Sequence, residues 1–186
     1  ALQRGLPPGD SGLAPESVAV GRGDAVDLRL PLQPFGPAGD ARWLYLSADD
    51  ALATGGALAT LNVTLSRPGT ARAGDPVVLV WTYRIGNEWR ELGRSSSAAE
   101  QVGTSSVGLR DGTRAFTRAG TVTFHVPDPW LPALHRRRYG RWLRVEVANP
   151  GGSYTAAPEI GALTVDYGWE LPRVGAITAQ VNTVPT

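Results

Sequence analysis

Apolar residues at every second position constrain this chain more than any other feature. Val77, Leu79, Trp81, Tyr83 and Ile85 alternate along one run, Gly86-Asn87 interrupts it, and Glu88-Trp89-Arg90-Glu91-Leu92 returns. A period of two puts the apolar set on one face of a strand, and Gly-Asn supplies the positive φ that a two-residue connection needs. The run predicts a β-hairpin in which Trp81 and Trp89 face one another. The same period recurs in Leu61, Val63 and Leu65, in Val122, Phe124 and Val126, in Leu143, Val145 and Val147, and in Leu163, Val165 and Tyr167. Leu28, Leu30 and Leu32 share a face in a run that starts at Ala25, where Pro31 and Pro34 suit an edge or a strand end. Arg42-Trp43-Leu44-Tyr45-Leu46 adds a short strand, and Asp49 to Ala53 suits a single helical turn.

Roughly eight to ten short strands, each with one polar face, imply antiparallel sheets packed face to face. No segment sustains a helical period, and strands do not alternate with helices, which argues against a parallel α/β fold. The expected class is all-β, an antiparallel β-sandwich of jelly-roll-like, galactose-binding-like form. The 23 glycines and 15 prolines fall between the apolar runs, as turns require. Residues 1–24 read as an N-terminal linker or docked arm, and 25–184 as the sandwich domain. Gly93 to Gly112 is small, polar and Ser-rich, so a long mobile loop is expected there, and a second loop over Pro127 to Arg141. Pro158 to Val165 is echoed by Pro172 to Ala179, as two successive strands entered by the same turn would be.

At 186 residues the chain can bury a core without covalent staples, and it has no cysteine to form them. That also removes thiolate nucleophiles and cysteine zinc sites. The chain opens on Ala1 and has no Met, and so reads as an excised or processed segment. All 18 basic residues are Arg and the net charge is +1, leaving no global field to draw nucleic acid or an anionic membrane. No apolar run approaches the ~18 residues of a membrane-spanning helix, and no signal peptide opens the chain.

The hairpin Trp81-Thr82-Tyr83-Arg84-Ile85-Gly86-Asn87-Glu88-Trp89-Arg90-Glu91-Leu92 resembles a stretch of the J-like baseplate assembly proteins of contractile phage tails and extracellular injection systems. Further segments are similar in order: Pro34-Phe35-Gly36 with Trp43-Leu44-Tyr45-Leu46, Asp111-Gly112-Thr113 leading into Arg118 to Pro127, Tyr139 to Val145, and Ala157 to Ile160. The resemblance spans Pro34 to Val184. It implies a β-sandwich inserted in a longer baseplate protein, without catalytic residues to carry across. It also implies contacts with other baseplate or tail proteins, fibres or a surface ligand, in a virion or phage-tail-like particle assembled in the bacterial cytoplasm.

Individual residues carry sharper alternatives. Indole faces stack on sugar rings, so the tryptophans also suit a carbohydrate-binding module of an extracellular protein, with a glycan as ligand. Core and cross-strand packing explains the same residues without a ligand. Trp130, between prolines, is the one expected to be exposed, and Trp89 is the second candidate for a binding surface. Arg136-Arg137-Arg138 form a basic run suited to an acidic protein partner or to plain solvation of a loop; the near-zero net charge disfavours nucleic acid. Arg22-Gly23-Asp24 reads as a turn, and Asn62-Val63-Thr64, a glycosylation-type triplet, falls within a strand. His125 and His135 have no metal-ligand spacing, Asp49-Asp50 and Glu88/Glu91 read as turn or surface carboxylates, and no nucleophile elbow, phosphate loop or dinucleotide fingerprint occurs. No cofactor and no metal set is expected, no structural calcium site is identifiable, and the chain reads as a binding rather than a catalytic domain.

Overall fold

The computed structural model describes residues 2–4, 16–20, 25–26, 31–35, 43–48, 51–135, 138–148 and 152–168. Its strands are β1 (Leu2–Arg4), β2 (Glu16–Val20), β3 (Ala25–Val26), β4 (Trp43–Ser47), β5 (Leu58–Arg67), β6 (Thr70–Ala71), β7 (Val78–Ile85) and β8 (Glu88–Ser96). They continue with β9 (Arg110–Asp111), β10 (Gly120–His125), β11 (Ala133–His135), β12 (Arg138–Gly140), β13 (Trp142–Val147), β14 (Tyr154–Ala156) and β15 (Glu159–Gly168). No helix occurs among the described residues.

The fold is an antiparallel β-sandwich. One sheet runs β1-β2-β4-β13-β7-β8, with β3 joined to β2, and the other runs β15-β5-β10-β9. The alternation read from the sequence places the core between them. Leu44 and Leu46 of β4, Leu143 and Val145 of β13, and Leu79 and Trp81 of β7 meet Leu61 and Val63 of β5, Val122 and Phe124 of β10, and Leu163 and Val165 of β15. All twelve are buried, and each large apolar side chain withdrawn from water contributes about 1.5–3 kcal/mol. Phe35, Phe116 and Tyr154 fill one end, with Phe35 stacked on Tyr154 at 5.7 Å.

The β7–β8 hairpin turns at Gly86-Asn87 as expected, and Gly86 takes the positive φ (55°). Its register corrects one expectation. Ile85 pairs with Glu88 and Arg84 with Trp89, so Trp89 lies on the outer face, while Trp81 points into the core opposite Gly93. A two-residue turn makes partner numbers add to a constant, which excludes a Trp81–Trp89 pair. The register then slips by one between Trp81 and Thr82, leaving Leu92 as the extra residue of a bulge.

Two other expectations change. The segment 93–112 is not a loop throughout: Gly93 to Ser96 complete β8, and Ser95, Ser96, Leu109 and Asp111 are buried. Its small residues serve close packing, since a Cβ on Gly93 would stand 3.0 Å from Ser105 Cβ and 3.1 Å from Leu109 Cβ. The expected loop over 127–141 contains the β11–β12 ribbon. Within residues 1–24, the short strands β1 and β2 pair with each other, and β2 joins β4. Leu32, at the end of the run expected from Ala25, exchanges both backbone hydrogen bonds with Ile160 at 2.7 and 2.8 Å. Beside the expected helical turn at Asp49 to Ala53, Leu52 N–H donates to the Ala48 carbonyl at 3.0 Å. Asp49-Asp50, Arg22-Gly23-Asp24, Leu28, Leu30 and the echo at 172–179 lie outside the described residues.

Candidate interaction surface

Strand parity sends a second set of aromatic residues to the outer face of the large sheet. Trp43 and Tyr45 of β4, Trp142 of β13 and Trp89 of β8 form a cluster separate from the core, in which Tyr45 and Trp142 are buried. The ribbon β11–β12 closes over it. His135, the last residue of β11, lies with its ring 4.6 Å from Tyr45, 5.3 Å from Trp89 and 5.4 Å from Trp142, centroid to centroid. The contacts with Trp89 and Trp142 are edge-on, a geometry that adds about 0.5–1.5 kcal/mol per aromatic pair beyond area burial. The Arg144 guanidinium sits 4.7 Å over the Trp89 ring, and that of Arg84 at 5.5 Å. Arg144 also reaches Glu146 at 3.6 Å and donates to Thr82 Oγ1 at 3.2 Å.

The base of the ribbon is fixed separately. Trp130 is only 4% exposed, which corrects the expectation that it would be the open indole. Its ring packs edge-on against Tyr83 at 5.2 Å, at the rim of the core, and its carbonyl accepts a hydrogen bond from Arg141 Nε at 2.8 Å. The flanking prolines, read as signs of an exposed loop, border a buried ring.

Tethered at base and end, the ribbon turns its other face to solvent. Leu134 and Tyr139 form a register pair on that face, 59% and 72% exposed, and Leu131 just before β11 is 61% exposed. They are three of the five large apolar side chains that stand exposed among the described residues. Arg138, the register partner of His135, is exposed, while Arg136 and Arg137 lie outside the described residues. Of the five residues the sequence singles out, the structure thus buries Trp130, covers Trp89 with Arg144 and His135, and leaves Arg138 at the rim. The residues it missed are Leu131, Leu134 and Tyr139. Alternation in Ala133-Leu134-His135 and Arg138-Tyr139-Gly140 is the signal for Leu134 and Tyr139.

The polar centre elsewhere in the fold is structural. Asp111 is fully buried and accepts from Ser95 Oγ at 2.7 Å, Thr113 N–H at 2.9 Å, Ala115 N–H at 3.0 Å and the Thr113 hydroxyl. The Trp81 indole donates to Ser95 Oγ at 3.1 Å, and Phe116 N–H donates to Thr113 Oγ1 at 3.0 Å. Asp111 holds a turn in which Arg114, Ala115 and Phe116 all take φ between 52° and 55°. Tyr154 donates to the Ala115 carbonyl at 2.7 Å, and burial, with the nearby Asp111 charge adding to it, pushes its phenol well above the usual range. These donors and acceptors satisfy one another.

Other features offer little to a ligand. An apolar recess between the sheets, edged by Leu46, Leu52, Leu61, Leu143, Leu163 and Val165, has about 20 Å³ of free volume, room for about one water. His125 is exposed, its Nδ1 3.3 Å from the Val107 carbonyl. Glu88 and Glu91 are exposed and lie 3.6 Å from Arg90 and 3.0 Å from Arg94. Asn62 donates to Asp166 at 2.7 Å and to Thr164 at 3.3 Å across the β5–β15 pair. Among the described residues, no group of three or more His, Cys, Asp or Glu could hold a metal ion, and no helix is long and apolar enough to cross a membrane. No protein-family model matches the chain, and no curated protein does.

Proposed function

We propose that this chain is a non-catalytic interaction domain of a multi-subunit particle of the phage-tail baseplate kind, joining neighbouring subunits or fibres. The observation that carries the reading is the β11–β12 ribbon. Buried aromatic contacts hold it against the sheet, while Leu131, Leu134 and Tyr139 stand open to solvent. An apolar patch on a rigid support suits burial against a partner. The ordered resemblance of the sequence to J-like baseplate proteins supplies the setting, and with it a location in a virion or tail-like particle. Deletion of residues 25–184 from the parent gene, followed by electron microscopy of purified particles, tests this. Particles lacking formed baseplates are expected; intact baseplates in normal yield refute the assignment.

A carbohydrate-binding module is the competing reading. Trp89 is poorly suited to sugar stacking, because the Arg144 guanidinium already lies 4.7 Å over its ring and His135 meets it edge-on. Titration with glycan pools, followed by tryptophan fluorescence, separates the two. A saturable emission shift would favour the sugar.

A further inference from the structure

We infer that the open edge of β15 pairs with the same edge of a second copy of this chain, joining two small sheets across a two-fold axis. This surface is separate from the β11–β12 ribbon and does not draw on it. The first observation is the edge itself. Among the described residues, β5 bonds one side of β15, and on the other side only Ile160 has a partner, Leu32. Past the bulge at Gly161 the strand runs regularly from Ala162 to Gly168. Unpaired backbone of this kind is a template for another strand, and sheets guard it with charge, proline, bulges or a covering segment. The edge strand β8 is guarded in this way: Glu88, Arg90, Glu91 and Arg94 lie along it, and the Arg94 carbonyl accepts from Val102 N–H at 2.8 Å. From Ala162 to Gly168 there is no Pro and no Arg, and the single charge, Asp166, is held by Asn62 at 2.7 Å.

The second observation is the face that this edge borders. Leu163, Val165 and Tyr167 alternate toward the core side. Leu163 and Val165 edge the apolar recess between the sheets, and Tyr167 stands 49% exposed beyond them. A strand added here must therefore bring apolar side chains at every second position.

The third observation is that the edge meets this requirement for itself. Opposed residues of an antiparallel pair share a face, so a two-fold axis has to pass between the two copies of one residue. The midpoint of the regular stretch is Val165. That register sets Val165 against its own copy, Leu163 against the second copy's Tyr167, and Thr164 against the second copy's Asp166. All core-side pairs are then apolar, and each Tyr ring lies across the mouth of the other copy's recess. On the outer side no like charges meet, and a hydroxyl faces a carboxylate.

The test is sedimentation equilibrium of the full chain from about 10 µM to about 1 mM, joined to cysteine cross-linking. A monomer–dimer equilibrium is expected. Tyr167 is exposed, so Y167D should keep the wild-type circular dichroism while weakening the dimer at least about tenfold. The chain has no cysteine, so single introduced thiols report the register. Opposed residues stand about 4.5–5.5 Å apart between Cα atoms, within reach of a disulfide. T164C mixed with D166C should therefore give an oxidised heterodimer. T164C alone, whose two thiols would lie about 8 Å apart along the strands, should give little, and R90C on the β8 edge none. A monomer throughout the concentration range would overturn the inference. So would a dimer that Y167D leaves intact, a dimer lost in L134S/Y139S instead, or cross-linking of R90C in place of the T164C and D166C mixture.

Discussion

Ser95 donates its hydroxyl to the carboxylate of Asp111 at 2.7 Å, and neither side chain reaches solvent. Ser95 belongs to β8 of the large sheet and Asp111 to β9 of the small one, so this bond is a polar clasp across the sandwich. Removing the acceptor strands several buried donors at once. Asp111→Ala is therefore expected to cost about 3–5 kcal/mol, since each buried donor left unpaired costs about 1–3 kcal/mol. Ser95→Ala, which leaves the turn's own bonds to Asp111 in place, should cost about 1–2 kcal/mol. Urea denaturation of both variants checks the order; equal losses would mean that the clasp and not the turn dominates.

The left-handed turn makes a separate prediction. Ala115 sits at φ 54° with its methyl fully buried. A β-branched side chain is strained at that φ and also overfills the core. Ala115→Val should destabilise by about 2–4 kcal/mol. Ala115→Gly exchanges relief of φ strain for lost packing and a more flexible unfolded chain, and should stay within about 1 kcal/mol of wild type. Thermal melts of the pair suffice, and a destabilised glycine variant beside a tolerated valine would contradict the geometry.

Tyr154 governs behaviour at high pH. Its folded-state pKa is raised by burial, with Asp111 adding to it, so the unfolded chain loses the proton first. Its contribution is then fully present below the unfolded phenol pKa of about 10 and is lost as pH climbs from there toward the folded value. Over that window, stability should fall by up to about 1.4 kcal/mol per pH unit from this residue. Tyr154→Phe should remove that part of the slope, while costing about 1 kcal/mol at neutral pH for the bond to the Ala115 carbonyl. Urea midpoints from pH 8 upward for both proteins give the comparison, and parallel slopes would rule the residue out.

His135 is expected to control how often the ribbon lifts. His135→Ala removes the ring shared by Tyr45, Trp89 and Trp142. Loss of even one aromatic contact of about 1.4 kcal/mol raises the open population about tenfold. Trypsin should then cut after Arg138 and the arginines before it about ten times faster, because cleavage tracks that population. His135→Phe should restore most of the protection. An unchanged digestion rate would show that Trp130 and Arg141 alone hold the ribbon down.

The sandwich was legible because its core strands obey one rule. Leu61 and Val63, Val122 and Phe124, and Leu143 and Val145 all fall inward as their alternation requires. What escaped the sequence depends on long-range partners. Gly93 and Ser95 look like loop residues until Leu109 and Asp111 arrive to use their small size and hydroxyl. Trp130 looks exposed until Tyr83 receives it. Trp89 could be placed on the outer face from the length of the turn alone. The aromatic cluster it joins needs β4, β8 and β13 in register, which no local pattern reports. The Asp111-Gly112-Thr113 triplet stood out only through family resemblance, and its structural work lies in the turn that follows.

The ribbon separates two jobs by a single step along the chain. Odd and even positions of β11 answer to different constraints, since His135 must fit a fixed aromatic pocket whereas Leu134 need fit nothing in its own chain. Drift at Leu134 and Tyr139 is thereby decoupled from foldability. A lineage, or an engineer, could rewrite those two positions to retarget the surface while the scaffold stays untouched.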